Sequence, residues 1–120
     1  MATKIILDCD PGHDDAIALL LAPASPEVEH IGVTTGAGHQ TLEKTTANAI
    51  RVLDFVGHDD VMVAAGASRP LEREPFVAAY VHGDTGLDGP DLPPPQREPV
   101  EQHAVEFLAE HVAGTTLVAV

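Results

Sequence analysis

The sequence predicts an α/β fold, an open and mostly parallel sheet with flanking helices. Short apolar runs alternate with segments of helical spacing, in the order strand, helix, strand, helix, strand. Short connections join these segments, as is typical of right-handed βαβ units in a parallel sheet. Aromatic residues make up only 3% of the 120 residues, so we expect an aliphatic core.

The first predicted strand covers residues 5–9, and the first predicted helix covers residues 14–22. This helix is apolar nearly all round, a pattern that predicts deep burial. Pro23 and Pro26 follow it. Because proline lacks the backbone N–H that a helix needs, we expect these two residues to end the helix.

The second and third predicted strands cover residues 30–35 and 61–65. Between them, Thr41 is a suitable N-cap for a helix that continues to about residue 56. Gly57 suits the position after the helix, where a positive φ is common. The apolar stripe of this helix is formed by Leu42, Ala49, Ile50, Leu53 and Val56.

The second half of the chain has a long loop in residues 82–99, because glycine-rich turns and five prolines there disfavour a helix or a central strand. A helix is expected over residues 101–112 and a strand over 115–120. The helix has Ala104, Val105, Leu108 and Val112 on one face. Since the chain stops within an apolar strand, we expect residues 1–120 to be a single incomplete domain, the N-terminal part of a longer protein.

Charge and composition argue against several kinds of partner. The chain has 6 basic and 19 acidic residues, for a formal net charge of -13. This charge disfavours nucleic acid and anionic membranes, which are themselves polyanions. No stretch approaches the roughly 20 apolar residues of a membrane span. Cys9 is the only cysteine, so a reducing compartment is expected, and we predict a cytoplasmic location.

Four aspartates follow the first predicted strand within eight residues: Asp8, Asp10, Asp14 and Asp15. Two like charges at ~4 Å repel each other by about 4 kcal/mol at an effective dielectric of 20. A cation among the carboxylates would relieve this repulsion, and oxygen ligands favour Ca²⁺ or Mg²⁺. The cluster falls beyond the carboxyl end of a strand, where parallel sheets bind ligands. The alternative is an acidic helix N-cap with additional surface charge.

The run DCDPGHDDA at residues 8–16 closely resembles the N-terminal signature of the inosine-uridine-preferring nucleoside hydrolases. Residues 33–49 and 82–87 resemble the second and third sequence blocks of that family, in the same order. The resemblance implies a Rossmann-like α/β fold and bound Ca²⁺. It also implies hydrolysis of the N-glycosidic bond of ribonucleosides, by a protein that forms homodimers or homotetramers.

The resemblance further implies roles for the aspartates. Asp10 and Asp15 would bind Ca²⁺, and Asp8 would support the metal site. Asp10 would also be the catalytic base that activates a metal-bound water. Asp14 would hold ribose hydroxyls.

Three histidines lie in or beside these motifs. His39 stands where the family usually has asparagine, near the ribose, and is a candidate substrate-binding residue. His82 falls near the loop over the base and is a second candidate. For both, the alternative is a loop histidine without a functional role. His13 occupies a variable position and is expected to be a turn residue. Because further family site residues follow residue 120, we expect the 120-residue chain alone to be inactive.

Two other functions fit parts of the sequence. Haloacid-dehalogenase-like phosphohydrolases also place two aspartates after the first strand and use Mg²⁺. In them small or hydroxyl-bearing residues usually follow, which Pro11, Gly12 and His13 do not match. A non-catalytic homologue that binds Ca²⁺ and ribose is the other alternative, and the unusual His39 favours it.

Overall fold

The computed structural model describes residues 2–120, which contain one four-stranded parallel sheet. The strands are β1 (Thr3–Cys9), β2 (Val28–Thr35), β3 (Met62–Ala65) and β4 (Thr116–Ala119). Their order across the sheet is β3-β2-β1-β4, and each neighbouring pair is parallel. The predicted α/β class is therefore confirmed, and the carboxyl ends of β1 and β2 lie side by side.

Helices cover both faces of this sheet. They are α1 (His13–Ala24), α2 (Leu42–Phe55), the short α3 (Ala79–His82) and α4 (Ala104–His111). One core contains alternate residues of β1 with the inner residues of α1 and α2, and these include Ile5, Leu7, Cys9, Leu19, Ala49, Ile50 and Leu53. A smaller core on the opposite face contains Ile6, Ala64, Ala104 and Phe107.

Helix α2 begins and ends where the sequence predicts. Thr41 has the extended conformation of an N-cap, although its side chain makes no capping hydrogen bond. After the helix, Gly57 has a φ of 81° and donates its N–H to the carbonyl of Asp54 at 3.1 Å. The N–H of His58 donates to the carbonyl of Leu53 at 2.9 Å. This pair of hydrogen bonds is a Schellman motif.

The predicted deep burial of α1 is wrong. Its buried residues are Asp15, Leu19 and Ala22, whereas Ile17 and Leu21 are 63% and 65% exposed. The reason is that α1 packs on the sheet along one stripe, and no described element covers its outer side. Pro23 also lies inside the last turn rather than ending the helix before it.

The predicted inner face of α4 is only partly correct. Ala104 is buried, but Val105 and Val112 are 68% and 39% exposed. Phe107 is buried instead, because residues three apart share a helix face and Phe107 packs with Ile6 and Ala64.

Residues 83–103 contain neither a helix nor a strand apart from an isolated bridge between Val100 and Ala64, whereas His82, the first residue of the expected 82–99 loop, is the last residue of α3. Arg97 fixes this loop to the domain by donating to the Asp54 carboxylate at 2.9 Å and to the Val61 carbonyl at 2.7 Å. Among residues 2–120, no helix combines the length and the hydropathy that crossing a membrane requires.

Candidate metal and substrate site

Asp10 and Asp15 lie together at the carboxyl end of β1. The backbone N–H of Asp10 donates to Oδ2 of Asp15 at 3.0 Å. Asp15 is in the first turn of α1, where the electropositive helix N-terminus favours a carboxylate. Its side chain is only 2% exposed. The strand, the Pro11-Gly12 turn and the helix therefore bring two carboxylates of the cluster to one point.

The environment of Asp15 disfavours its ionised form. Burial raises the pKa of Asp15 to about 6, and the nearby carboxylates of Asp10 and Asp14 act in the same direction. The hydrogen bond from the Asp10 backbone opposes this change. A cation beside Asp15 would favour the ionised form again, because opposite charges attract more strongly at a buried site.

The loop after β2 closes over Asp10. The backbone N–H of His39 donates to Oδ2 of Asp10 at 2.9 Å, and Nδ1 of His39 donates to the Asp10 carbonyl at 2.6 Å. A Cβ atom on Gly38 would collide with the Asp10 carboxylate. Glycine at position 38 therefore allows the backbone of the loop to approach the carboxylate closely.

One group of ligand atoms here could hold a metal ion. Asp10, Asp15 and His39 each offer one atom within 4.8 Å of the others. Two of these three donors are carboxylates, one of them buried, and such oxygen ligands suit a hard cation. Of the residues predicted to bind metal, the structure thus brings Asp10 and Asp15 together.

Asp8 has a different environment. Its register partner on β2 is Thr34, whose hydroxyl donates to Oδ1 of Asp8 at 2.7 Å. Within the part of the chain that the structure describes, Asp8 belongs to neither group of closely spaced ligand atoms. Its supporting role at the metal site remains a prediction.

The candidate substrate-binding residues form a second group beside the first. Asp14, His39 and His82 each offer one ligand atom within 4.8 Å of the others. The ring centroids of His39 and His82 are 4.0 Å apart. Burial lowers the pKa of His82, and the neighbouring rings of His39 and His13 lower it further.

His13 is a member of the site that the sequence analysis did not identify. Its backbone N–H donates to Nδ1 of His82 at 3.3 Å, and the Nδ1 atoms of the two rings are 3.2 Å apart. A Cβ atom on Gly12 would lie 2.5 Å from Nδ1 of His82. These contacts join residues 69 positions apart, so no local pattern in the sequence could have indicated them.

Asn48 links the three sequence blocks. This buried side chain donates to the carbonyl of Pro11 at 3.2 Å and to the carbonyl of Thr85 at 2.7 Å. Gln40, also buried, donates to the carbonyl of Asp84 at 3.1 Å. Helix α2 and the loop before it therefore hold the turn after β1 and the loop after α3 against each other.

A cavity of about 1000 Å³ lies elsewhere, between α2 and residues 95–99. Its lining is mainly apolar and contains no aspartate and no histidine. The cavity lining does include Glu43, Arg97 and Glu98. The aspartate cluster is the better candidate site, because among the described residues the closely spaced carboxylate and imidazole atoms are there.

The fold and the site define a parallel α/β protein with a carboxylate cluster at the end of its first strand. The family model described as "Inosine-uridine preferring nucleoside hydrolase" matches residues 5–120. The chain belongs to this family. Membership excludes the haloacid-dehalogenase-like alternative.

Curated relatives agree with this family. The chain is 58% identical over 116 residues to the pyrimidine-specific ribonucleoside hydrolase RihA of Photobacterium profundum. The alignment covers 97% of the chain and 37% of the relative. It is 54% identical over 110 residues to RihA of Salmonella paratyphi B, and this alignment covers 92% of the chain and 35% of the relative. The chain thus spans about a third of the length of the curated relatives it matches.

Solved structures are similar over the same region. A plant nucleoside hydrolase, the PpNRh1 enzyme, has a TM-score of 0.89 and 34% identity, covering 100% of this chain and 40% of that one. A purine-preferring ribonucleoside hydrolase from Gardnerella vaginalis has a TM-score of 0.87 and 34% identity, and the match covers 98% of this chain and 40% of that one.

Proposed function

We propose that the protein hydrolyses the N-glycosidic bond of ribonucleosides in a Ca²⁺-dependent reaction that releases the base and ribose. The observation that carries the proposal is the contact between Asp10 and Asp15, with Asp14, His39 and His82 around it. Family membership and the RihA relatives support it.

Asp10 and Asp15 would hold Ca²⁺, and Asp8 would support them from its position two residues before Asp10. The donor set fits, because the ionised form of buried Asp15 needs a positive charge nearby. When bound, Ca²⁺ supplies a positive charge that attracts hydroxyl oxygens and lowers the pKa of water.

Asp10 is the general base. One of its carboxylate oxygens accepts the N–H of His39, which fixes the carboxylate in place and leaves the other oxygen for a water molecule. Asp10 takes a proton from the water molecule as the water oxygen attacks the anomeric carbon. The nucleobase leaves with the electrons of the broken C–N bond. Asp14 holds ribose hydroxyls, and its negative charge stabilises the oxocarbenium-like transition state. His39 and His82 contact the substrate beside Asp14.

The preferred substrates in this proposal are pyrimidine ribonucleosides. The support is the identity of 58% and 54% to relatives described as pyrimidine-specific. We also propose that the protein acts in the cytoplasm as a homodimer or homotetramer, as the family resemblance implies. The free buried thiol of Cys9 is compatible with a reducing compartment.

The test is ribose release from uridine and inosine, assayed in the protein extended to the length of its curated relatives. Asp10→Ala removes the general base and is expected to lower turnover at least about 100-fold. A chelator is expected to abolish activity, and added Ca²⁺ to restore it. Asp91→Asn, a change of an exposed loop carboxylate, is the matched control and should leave turnover unchanged.

Each part of the proposal has its own contradicting result. Full turnover in Asp10→Ala would exclude Asp10 as the base. Calorimetric binding of Ca²⁺ and ribose without turnover in the wild-type protein would favour the non-catalytic homologue. Faster hydrolysis of inosine than of uridine would overturn the pyrimidine preference.

A further inference from the structure

The ring of His82 lies between two other histidine rings. Its centroid is 4.0 Å from that of His39 and 5.3 Å from that of His13, and the planes of the His13 and His82 rings differ by only 24°. The backbone N–H of His13 donates to Nδ1 of His82 at 3.3 Å, and Nδ1 of the His13 ring is 3.2 Å from the same atom. Both contacts involve Nδ1 of His82, so Nε2 remains for a substrate.

His13 also contacts the segment that follows His82. Nε2 of His13 lies 2.8 Å from the carbonyl oxygen of Asp88, and this nitrogen is the donor because a carbonyl oxygen can only accept. The backbone N–H of Asp88 donates in turn to the carbonyl of His82 at 3.3 Å. The side chain of His13 therefore bridges the two ends of residues 82–88.

Helix α2 and the loop before it hold the other side of this segment. Asn48 donates to the carbonyl of Thr85 at 2.7 Å, and Gln40 donates to the preceding carbonyl at 3.1 Å. These contacts fix the backbone that follows His82. Within residues 2–120, the hydrogen bonds of the ring itself come from His13, so the orientation of the ring depends on that residue.

We propose that His13 is a positioning residue, which orients the ring of His82 so that Nε2 meets the nucleobase of the substrate. Asp14 and His82 each offer an atom within 4.8 Å of the other, so the ring borders the position proposed for the ribose. This inference rests on the proposed function, because it places His82 against the substrate. Misplacement of a substrate-contacting group by about 1 Å can lower a rate on the order of 100-fold.

The experiment measures uridine hydrolysis with saturating Ca²⁺ in the protein extended to the length of its relatives. His13→Ala should lower kcat/KM about tenfold, and His13→Gln, whose amide can donate to the Asp88 carbonyl, should recover part of the loss. In a protein that already carries His82→Ala, the further change His13→Ala should have no effect, because His13 acts through His82. Inhibition by ribose alone should be unchanged, since Asp14 and Ca²⁺ hold the sugar. His58→Ala, in the loop after α2, is the control and should hydrolyse uridine as the wild type does.

Nitrogen-15 spectra of the histidine rings, recorded at one pH, test the contact without an activity assay. His13→Ala should shift or broaden the ring signals of His82 and leave those of His58 in place. Unchanged His82 signals or an unchanged kcat/KM in His13→Ala would overturn the proposal. Losses that multiply in the double variant, or ribose inhibition that weakens as much as kcat/KM, would also overturn it. An inactive wild type whose His82 signals still respond to His13→Ala would overturn the proposed function, while the orientation of His82 by His13 would stand.

Discussion

Asp15 is a carboxylate that is 2% exposed and has the carboxylates of Asp10 and Asp14 as neighbours. Its pKa rises from 3.8 to about 6, chiefly because of burial. The folded state therefore binds the proton of Asp15 more tightly than the unfolded state does. Without a cation, Asp15 does not reduce the free energy of unfolding below about pH 4, where it is protonated in both states. Above about pH 6 it reduces the free energy of unfolding by its full amount. Stability of the metal-free protein should fall between these values as pH rises.

Asp15→Asn is expected to stabilise the metal-free protein at pH 7. The rise in pKa corresponds to roughly 3 kcal/mol, and the amide oxygen can still accept the N–H of Asp10. We expect a gain of about 1–3 kcal/mol in denaturant unfolding with a chelator present, and loss of the pH dependence between 4 and 6. Ca²⁺ affinity should fall in the same variant, measured by calorimetry. A loss of stability in Asp15→Asn would contradict the assigned cost of the buried charge.

His39→Asn should leave ribose release in place. The backbone N–H that holds Asp10 does not depend on the side chain, so the catalytic carboxylate keeps its position. An assay of ribose release measures the effect, and His58→Asn is the control. Loss of ribose release in His39→Asn but not in His58→Asn would show that the imidazole, and not the backbone alone, is needed.

At the scale of residues, the sequence predicts the carboxylates better than the histidines. Asp10 and Asp15 are joined by one strand, one turn and one helix, so their meeting follows from local structure. His13 and His82 meet across 69 positions of sequence, where Asn48, Gln40 and His13 itself hold the loop after α3 against the turn after β1. Such long-range contacts have no periodic signature in a single sequence.

At the scale of elements, strands and helix ends were predictable where backbone geometry decides them. Gly57 is an example, because only the left-handed conformation completes the hydrogen bonds after α2. Burial of the helices was less predictable, since the apolar pattern of α1 does not indicate that Ile17 and Leu21 lie on its uncovered side. Packing partners, not propensity, decide which apolar residues are buried.

Gly57→Ala is expected to destabilise the protein by about 1–2 kcal/mol. Gly57 has a φ of 81°, and no atom lies within 4 Å of an added Cβ, so the cost comes from the left-handed backbone alone. Thermal and denaturant unfolding measure it. Gly36→Ala is the matched control, because its added Cβ also meets no atom within 4 Å and its φ is not in the left-handed range. Equal effects of the two changes would contradict the backbone argument.

At the scale of the whole molecule, the alternation of elements predicts the parallel sheet and the edge at which the site lies. The strand order β3-β2-β1-β4 places the ends of β1 and β2 next to each other, so Asp10 and His39 come from neighbouring strand ends. The sequence cannot specify what covers the outer sides of the sheet and helices. On β4, Leu117 is 43% exposed, and Val105 on α4 is 68% exposed.

The 120-residue chain by itself is expected to bind Ca²⁺ weakly and to show no ribonucleoside hydrolysis. Ca²⁺ takes about six to eight oxygen ligands. Among residues 2–120, the group of closely spaced ligand atoms around Asp10 contains only two carboxylates and the ring of His39. Calorimetry with Ca²⁺ and a ribose-release assay should therefore give much weaker binding and no turnover, compared with the protein extended to the length of its relatives. Turnover by the 120-residue chain would show that these residues alone complete the site.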